Sequence, residues 1–183
     1  MKYLKSINDL MNERIKVYSF EEESNDDFNV KYRFDDLDGN KYLVQFKNDS
    51  IGAKFKPMLG TSYELSYFVW DDEINDWSVS KIVNSVKGNV YSTLETIFGK
   101  ILNYFLEKRS WVKSIWFEGL SKDQEVSYQS QRTRVYLRYL RNNPVSGFDV
   151  QNFGNNKITL IKNNKWYAKA GSKNCTRSGY SSK

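Results

Sequence analysis

"FNVKYRFDDLDGNKYLVQFKN", residues 28–48, decides how this chain is read. Phe28, Val30, Tyr32 and Phe34 recur at every second position, and Tyr42, Val44 and Phe46 do so again after an interruption. A period of two places these side chains on one face of an extended strand. Asp38-Gly39 lies between the two runs, where glycine enters a turn conformation without a Cβ clash. The stretch therefore predicts an antiparallel hairpin with one buried, ring-rich face.

Working outward, "RIKVYSF" (14–20) reads as a strand and "EEESNDD" (21–27) as a solvated loop, with a short helix over 4–13 carrying Leu4, Ile7, Leu10 and Met11. On the other side, 49–60 reads as a loop holding Gly52, Pro57 and Gly60. "TSYELSYFVWDD" (61–72) and "DWSVSKIVNS" (76–85) read as two strands joined by an acidic turn. A helix follows over 89–108, with Asn89 as its cap and an apolar stripe of Val90, Leu94, Ile97, Phe98, Ile101, Leu102 and Phe105. Then come a buried strand around Val112, Ile115 and Phe117, a helix over 124–143 stopped by Pro144, and a closing hairpin across Gly154-Asn155-Asn156. Strands grouped first and helices interleaved later predict an α+β fold. It would hold a single mixed, mostly antiparallel sheet, two long helices and a short N-terminal helix. Residues 1–167 form the expected domain, and 168–183 a flexible basic C-terminal tail.

Composition narrows the chemistry. The 183 residues hold 13 Tyr, 11 Phe and 5 Trp, so rings supply much of the core. Histidine is absent, which excludes a Ser-His-Asp or Cys-His mechanism and any histidine metal site within the chain. Cys175 is the only cysteine, so no internal disulfide forms and a reducing, cytoplasmic setting is expected. No stretch reads as a signal peptide or a membrane span, and no cofactor or metal is expected. Residues 1–80 carry 10 Lys+Arg against 16 Asp+Glu, a net of −6, whereas 81–183 carry 18 against 6, a net of +12. Such asymmetry draws nucleic acid or an acidic protein face, unless the two halves neutralise each other.

"SYQSQRTRVYLRYLRNN" (127–143) concentrates that positive charge. On a helical wheel Val135, Tyr136, Tyr139 and Leu140 share one face, while Arg134, Arg138 and Arg141 form a solvent-facing stripe opposite. Arg132 falls within the apolar face. It must snorkel, pair with a carboxylate, or bind an anion, and a buried pair with Glu118 is the leading expectation.

The order strand, turn, helix 89–108, strand 112–118, helix 124–143 and closing hairpin resembles the GCN5-related N-acetyltransferase fold over roughly residues 60–162. That family's last helix often carries Asn-x-x-Ala-x-x-Leu-Tyr, with Gly-Phe leading into the next strand. Here the positions read Gln129, Arg132, Val135 and Tyr136, with Gly147-Phe148 after a longer interval. The resemblance implies Tyr136 as general acid toward a departing thiolate. It also implies a coenzyme A pyrophosphate cradle at the turn before the first long helix, where "SVKGNV" offers Ser85, Gly88 and Val90. Only Gly88 fits a cradle of small residues, so the implication is a degenerate acetyltransferase-like fold more than an acetyltransferase. A looser resemblance joins small bacteriophage proteins whose last helix reads Arg-x-x-(apolar)-Tyr-x-x-x-Leu, met here by Arg132, Val135, Tyr136 and Leu140.

Three functions follow. The favoured one is a non-catalytic binding module acting through protein–protein contacts, a bacteriophage accessory or virion-associated component in the host cytoplasm or virion, without membrane association. A nucleic-acid binder would use Arg134, Arg138, Arg141, Lys157, Lys162, Lys165 and Lys169 with Trp166 and Tyr167. An acetyl-CoA-dependent N-acetyltransferase would need a carboxylate base, Glu64 or Glu118, with Tyr136 as acid and Gly88 at the cofactor. On any binding reading the contact residues are Arg132, Arg134, Arg138, Arg141, Lys165 and Trp166.

Overall fold

The computed structural model describes residues 16–26, 28–48, 62–79, 90–119, 130–153 and 155–163. The expected helix at 4–13, the tail and its boundary, and Ser85, Gly88, Lys165, Trp166, Tyr167 and Lys169 lie outside them.

The hairpin forms over 29–48, with Val30, Tyr32 and Phe34 buried as read but Phe28 outside the strand and exposed. Strands β2 (Asn29–Asp35) and β3 (Lys41–Asn48) pair antiparallel, with Val30 opposite Phe46, Tyr32 opposite Val44 and Phe34 opposite Tyr42. Gly39 adopts φ 82°, and the Asp36 carboxylate gathers the turn by accepting from the backbone N–H of Asp38 and Asn40, each at 2.9 Å. Facing rings then stack: Phe34 on Tyr42 at 4.7 Å and 3° between planes. Such pairs add to plain area burial, which explains how a chain this rich in rings holds a tight core.

The acidic run is not a loop over its described residues 21–26. Residues Phe20–Asp26 form β1, which pairs with β2 at the sheet edge through an irregularity between Glu22 and Ser24. Charge on an edge strand discourages pairing with another chain, so the run is compatible with strand structure at this one place. Correspondingly 16–19 is no strand: the Lys16 and Tyr18 N–H groups donate to the Ser92 and Thr96 hydroxyls, at 3.2 and 3.0 Å, docking it on the first helix.

Strand β4 (Ser62–Asp71) follows, then β5 (Asp76–Ser78), helix α1, β6 (Ser114–Glu118), helix α2 (Gln131–Asn142), β7 (Phe148–Asn152) and β8 (Lys157–Lys162). Helix α1 runs from Val90 to Lys108, with a π-helical middle, Glu95–Ile101, between two α-helical ends. The eight strands make one sheet in the order β1-β2-β3-β4-β6-β8-β7, with β5 on β4 off that path. All pairings are antiparallel except β4 with β6. The chain is therefore α+β with a mixed, mostly antiparallel sheet, and the described residues hold two helices. No described helix is long and apolar enough to cross a membrane.

Both helices cover the same sheet face. Phe105 of α1 stacks on Phe46 at 3.9 Å and meets Tyr63 edge-on, while Tyr136 of α2 meets Tyr67 and Phe117. Tyr63 and Ile115 are partners in register, so the alternation places Tyr63, Tyr67 and Phe117 on one side. The opposite side carries Phe68, Trp70, Trp77 and Trp116.

Candidate functional site

The parallel pairing of β4 with β6 lasts three residues, Ser62 to Glu64 against Ser114 to Trp116. Beyond it the same edge of β4 turns to β5, at Val69–Asp71. The two parallel strands diverge between these points and leave a cavity of about 370 Å³. Glu64, Tyr67, Trp116, Glu118, Arg132 and Tyr136 are among its lining residues.

Rings from below floor the fork. Phe98 of α1, Phe117 of β6 and Tyr136 of α2 are mutual neighbours with centroids 5.0–6.0 Å apart. The Tyr136 hydroxyl is hydrogen-bonded to that of Tyr67, so β4 and α2 are joined across the opening. Burial, then the neighbouring Tyr67, pushes the Tyr136 hydroxyl far above the ordinary tyrosine range, and Arg132 opposes this weakly. Tyr136 thus stays protonated at any physiological pH. On α2 the next turn is anchored too: Tyr139 donates to the Glu95 carboxylate at 2.5 Å. The absence of a Cβ at Gly99 is what lets that carboxylate lie back along α1.

The start of α2 is sewn in place. Ser130 caps it, accepting from the Thr133 N–H at 3.1 Å and donating to the Gly119 carbonyl at 3.0 Å. Asn156, in the β7–β8 turn, accepts from the Ser130 N–H and the Thr133 hydroxyl. A Cβ on Gly119 would collide with the Thr133 backbone, so only glycine ends β6 here. Sequence reading missed this cluster; the Ser-Gln-Arg-Thr capping pattern was its one visible signal.

That geometry corrects the expectation for Arg132. Its side chain is half-buried rather than inserted among the apolar residues, because the cap places it at the helix's first turn. It donates to the Val79 carbonyl at 3.1 Å, past the end of β5, and among the described residues it makes no ion pair with Glu118. Arg132 therefore straps the β5 side of the fork to α2. Glu118 is exposed and Glu64 half-buried, the latter accepting from the Ser66 hydroxyl at 3.1 Å.

Other candidates separate. Arg134, Arg138 and Arg141 are exposed on the outer side of α2, away from the fork. Lys157 sits over the Trp116 ring at 3.9 Å, and Lys162 donates to the Ser110 carbonyl at 2.5 Å, so both serve the fold. Val90, at the start of α1, is exposed. Among the described residues no group of acidic or cysteine side chains could hold a metal ion. No family model, curated protein or solved structure matches the chain.

Two outcomes follow. Arg132→Ala removes one solvent-facing hydrogen bond, so urea denaturation should show a loss of about 0.5–1.5 kcal/mol. A loss of about 3–5 kcal/mol would instead indicate a broken buried ion pair. Alkaline pH should unfold the protein early. Burial raises Tyr32 to about 12 and lifts Tyr42, Tyr136 and Tyr139 further. Unfolded tyrosines release protons near pH 10 while these native ones keep theirs, so the unfolded state binds fewer protons and stability falls as pH rises. Each contributes a slope of up to about 1.4 kcal/mol per pH unit above pH 10. A denaturation midpoint unchanged between pH 9 and about 11 would contradict this.

Proposed function

We propose that this chain is a non-catalytic binding module with an acetyltransferase-like fold, working through protein–protein contacts. The strand order, the one parallel pair and the crossover through α1 between its two strands support that fold. So does the position of Tyr136 beneath the diverging strands.

One observation carries the non-catalytic part. The resemblance implies a coenzyme A cradle at the turn before α1 and Tyr136 as acid toward the thiolate, and a ligand reaching Tyr136 would have to enter the cavity between β4 and β6. Here β5 pairs along that same edge of β4, and Arg132 straps the residue after β5 to α2. The chain itself thus narrows the mouth of the fork from the β5 side. The Tyr136 hydroxyl is committed to Tyr67 within a well-packed ring cluster. The sheet face away from the helices offers the contact surface. Trp70 and Trp77 meet edge-on at 5.4 Å there, and the Arg33 guanidinium lies over Trp77. Aromatic and arginine side chains of this kind anchor protein interfaces. A bacteriophage accessory component is the setting that the looser resemblance implies.

The transferase reading has one specific observation in its favour, the protonated Tyr136 at the cavity wall. Thermal melting with acetyl-CoA separates the two. A bound ligand at about 100 times its dissociation constant stabilises by about 2.7 kcal/mol. Millimolar acetyl-CoA should leave the melting temperature unchanged, and a dose-dependent rise would overturn the non-catalytic reading and restore Tyr136 as an acid.

A further inference from the structure

Helix α2 presents an outer ridge of three arginines that neither the fold nor the fork uses. Arg134, Arg138 and Arg141 are all exposed, and among the described residues none forms an ion pair. Residues 131–142 hold four arginines and no carboxylate. Like charges three and four positions apart destabilise a helix, so this ridge works against the element that bears it. Its direction is fixed all the same, because Tyr136, Tyr139 and Leu140 are buried on the other side and the Ser130 cap sets the first turn.

We infer that the Arg134–Arg138–Arg141 ridge is a docking surface for the sugar-phosphate backbone of a nucleic-acid duplex. From Arg134 to Arg141 the helix rises about 10 Å at 1.5 Å per residue. One strand of a duplex advances about 3.4 Å along the axis per phosphate, and its phosphates lie further apart than that along the winding backbone, so a ridge of about 10 Å meets two or three of them. Guanidinium groups grip phosphate oxygens in pairs, which lysines cannot do. The unbroken positive charge of residues 131–142, with no carboxylate among them, suits a continuous polyanion such as a duplex better than a protein face of mixed charge. The placement of opposite charge agrees. The acidic strand β1 is at one end of the sheet, whereas α2 packs near β8 toward the other. An approaching polyanion is therefore repelled from one end and received at the other. The ridge reads no bases; the surface positions a duplex without selecting its sequence. It is separate from the fork, so the inference stands whether or not the cavity binds acetyl-CoA.

The test is fluorescence anisotropy of a short labelled DNA duplex with the intact chain, between 50 and 200 mM salt. Replacing all three arginines, Arg134→Gln, Arg138→Gln and Arg141→Gln, should reduce the slope of log affinity against log salt by about 2.7. Over that fourfold salt range the parent should then lose about 40-fold more affinity than the variant. A charge-matched control, Lys31→Gln, Lys41→Gln and Lys47→Gln on β2 and β3, should keep the parent slope. Circular dichroism checks that both variants fold; should the triple arginine variant fail, Arg138→Gln alone should lower the slope by about 0.9. Duplex RNA bound with a similar slope supports backbone recognition. Equal slope losses in ridge and control variants would overturn the inference. So would preference for a single strand, or binding to polyglutamate with none to the duplex.

Discussion

Three residues of parallel pairing between β4 and β6 govern the rest of this structure. Every other junction in the sheet is antiparallel and can be closed by a turn, but this one requires a crossover, which α1 supplies. Once the two strands part, the sheet has a hole in its middle that must be floored from beneath. Phe98, Phe117 and Tyr136 meet there because both helices lie on one face, and the Tyr67–Tyr136 hydroxyl pair closes the gap that the missing ladder leaves. A buried hydroxyl without a partner costs about 1–3 kcal/mol, so the pairing of these two is what makes tyrosine tolerable in the floor. The same constraint explains the strap. With β5 seated on the open edge of β4, Arg132 is the side chain that reaches from α2 to the residue just beyond it.

Charge is organised by the topology rather than cancelled by it. The acidic and basic halves seen in the chain meet at α1 and β1, where Lys108 bonds Glu22 at 2.8 Å. Arg33 pairs with Glu23 inside the acidic half. The three outer arginines of α2 take no part in this, and that leaves the molecule with an electrical direction.

Much of the fold was legible in the residues. The period of two in 30–46, the stripe on 94–105 and the polar face of 134–141 each report a local geometry, and each formed, whereas Phe28 and Val90 at the ends of their patterns are exposed. Tertiary context decided what local pattern could not. The run 21–26 looks like a solvated loop because its charges carry no apolar alternation; it becomes a strand because a sheet edge needs one face only and tolerates charge. Wheel angle alone puts Arg132 on the apolar face, yet the Ser130 cap starts the helix so near it that the guanidinium escapes sideways. The Tyr67–Tyr136 pair joins residues 69 positions apart, and no spacing rule announces it. Of the expected site, Tyr136, Arg132, Glu64 and Glu118 converge on one cavity, whereas the arginine stripe belongs to a different surface.

The hydroxyl pair across the fork is the central claim, and a double-mutant cycle addresses it. Tyr67→Phe and Tyr136→Phe, singly and together, would be compared by urea denaturation. Removing one hydroxyl strands the other, while removing both strands neither. The double variant should therefore lose less stability than the two single losses added together, with a coupling of about 1 kcal/mol. Losses that add to within about 0.3 kcal/mol would mean that the two hydroxyls do not hold β4 and α2 together.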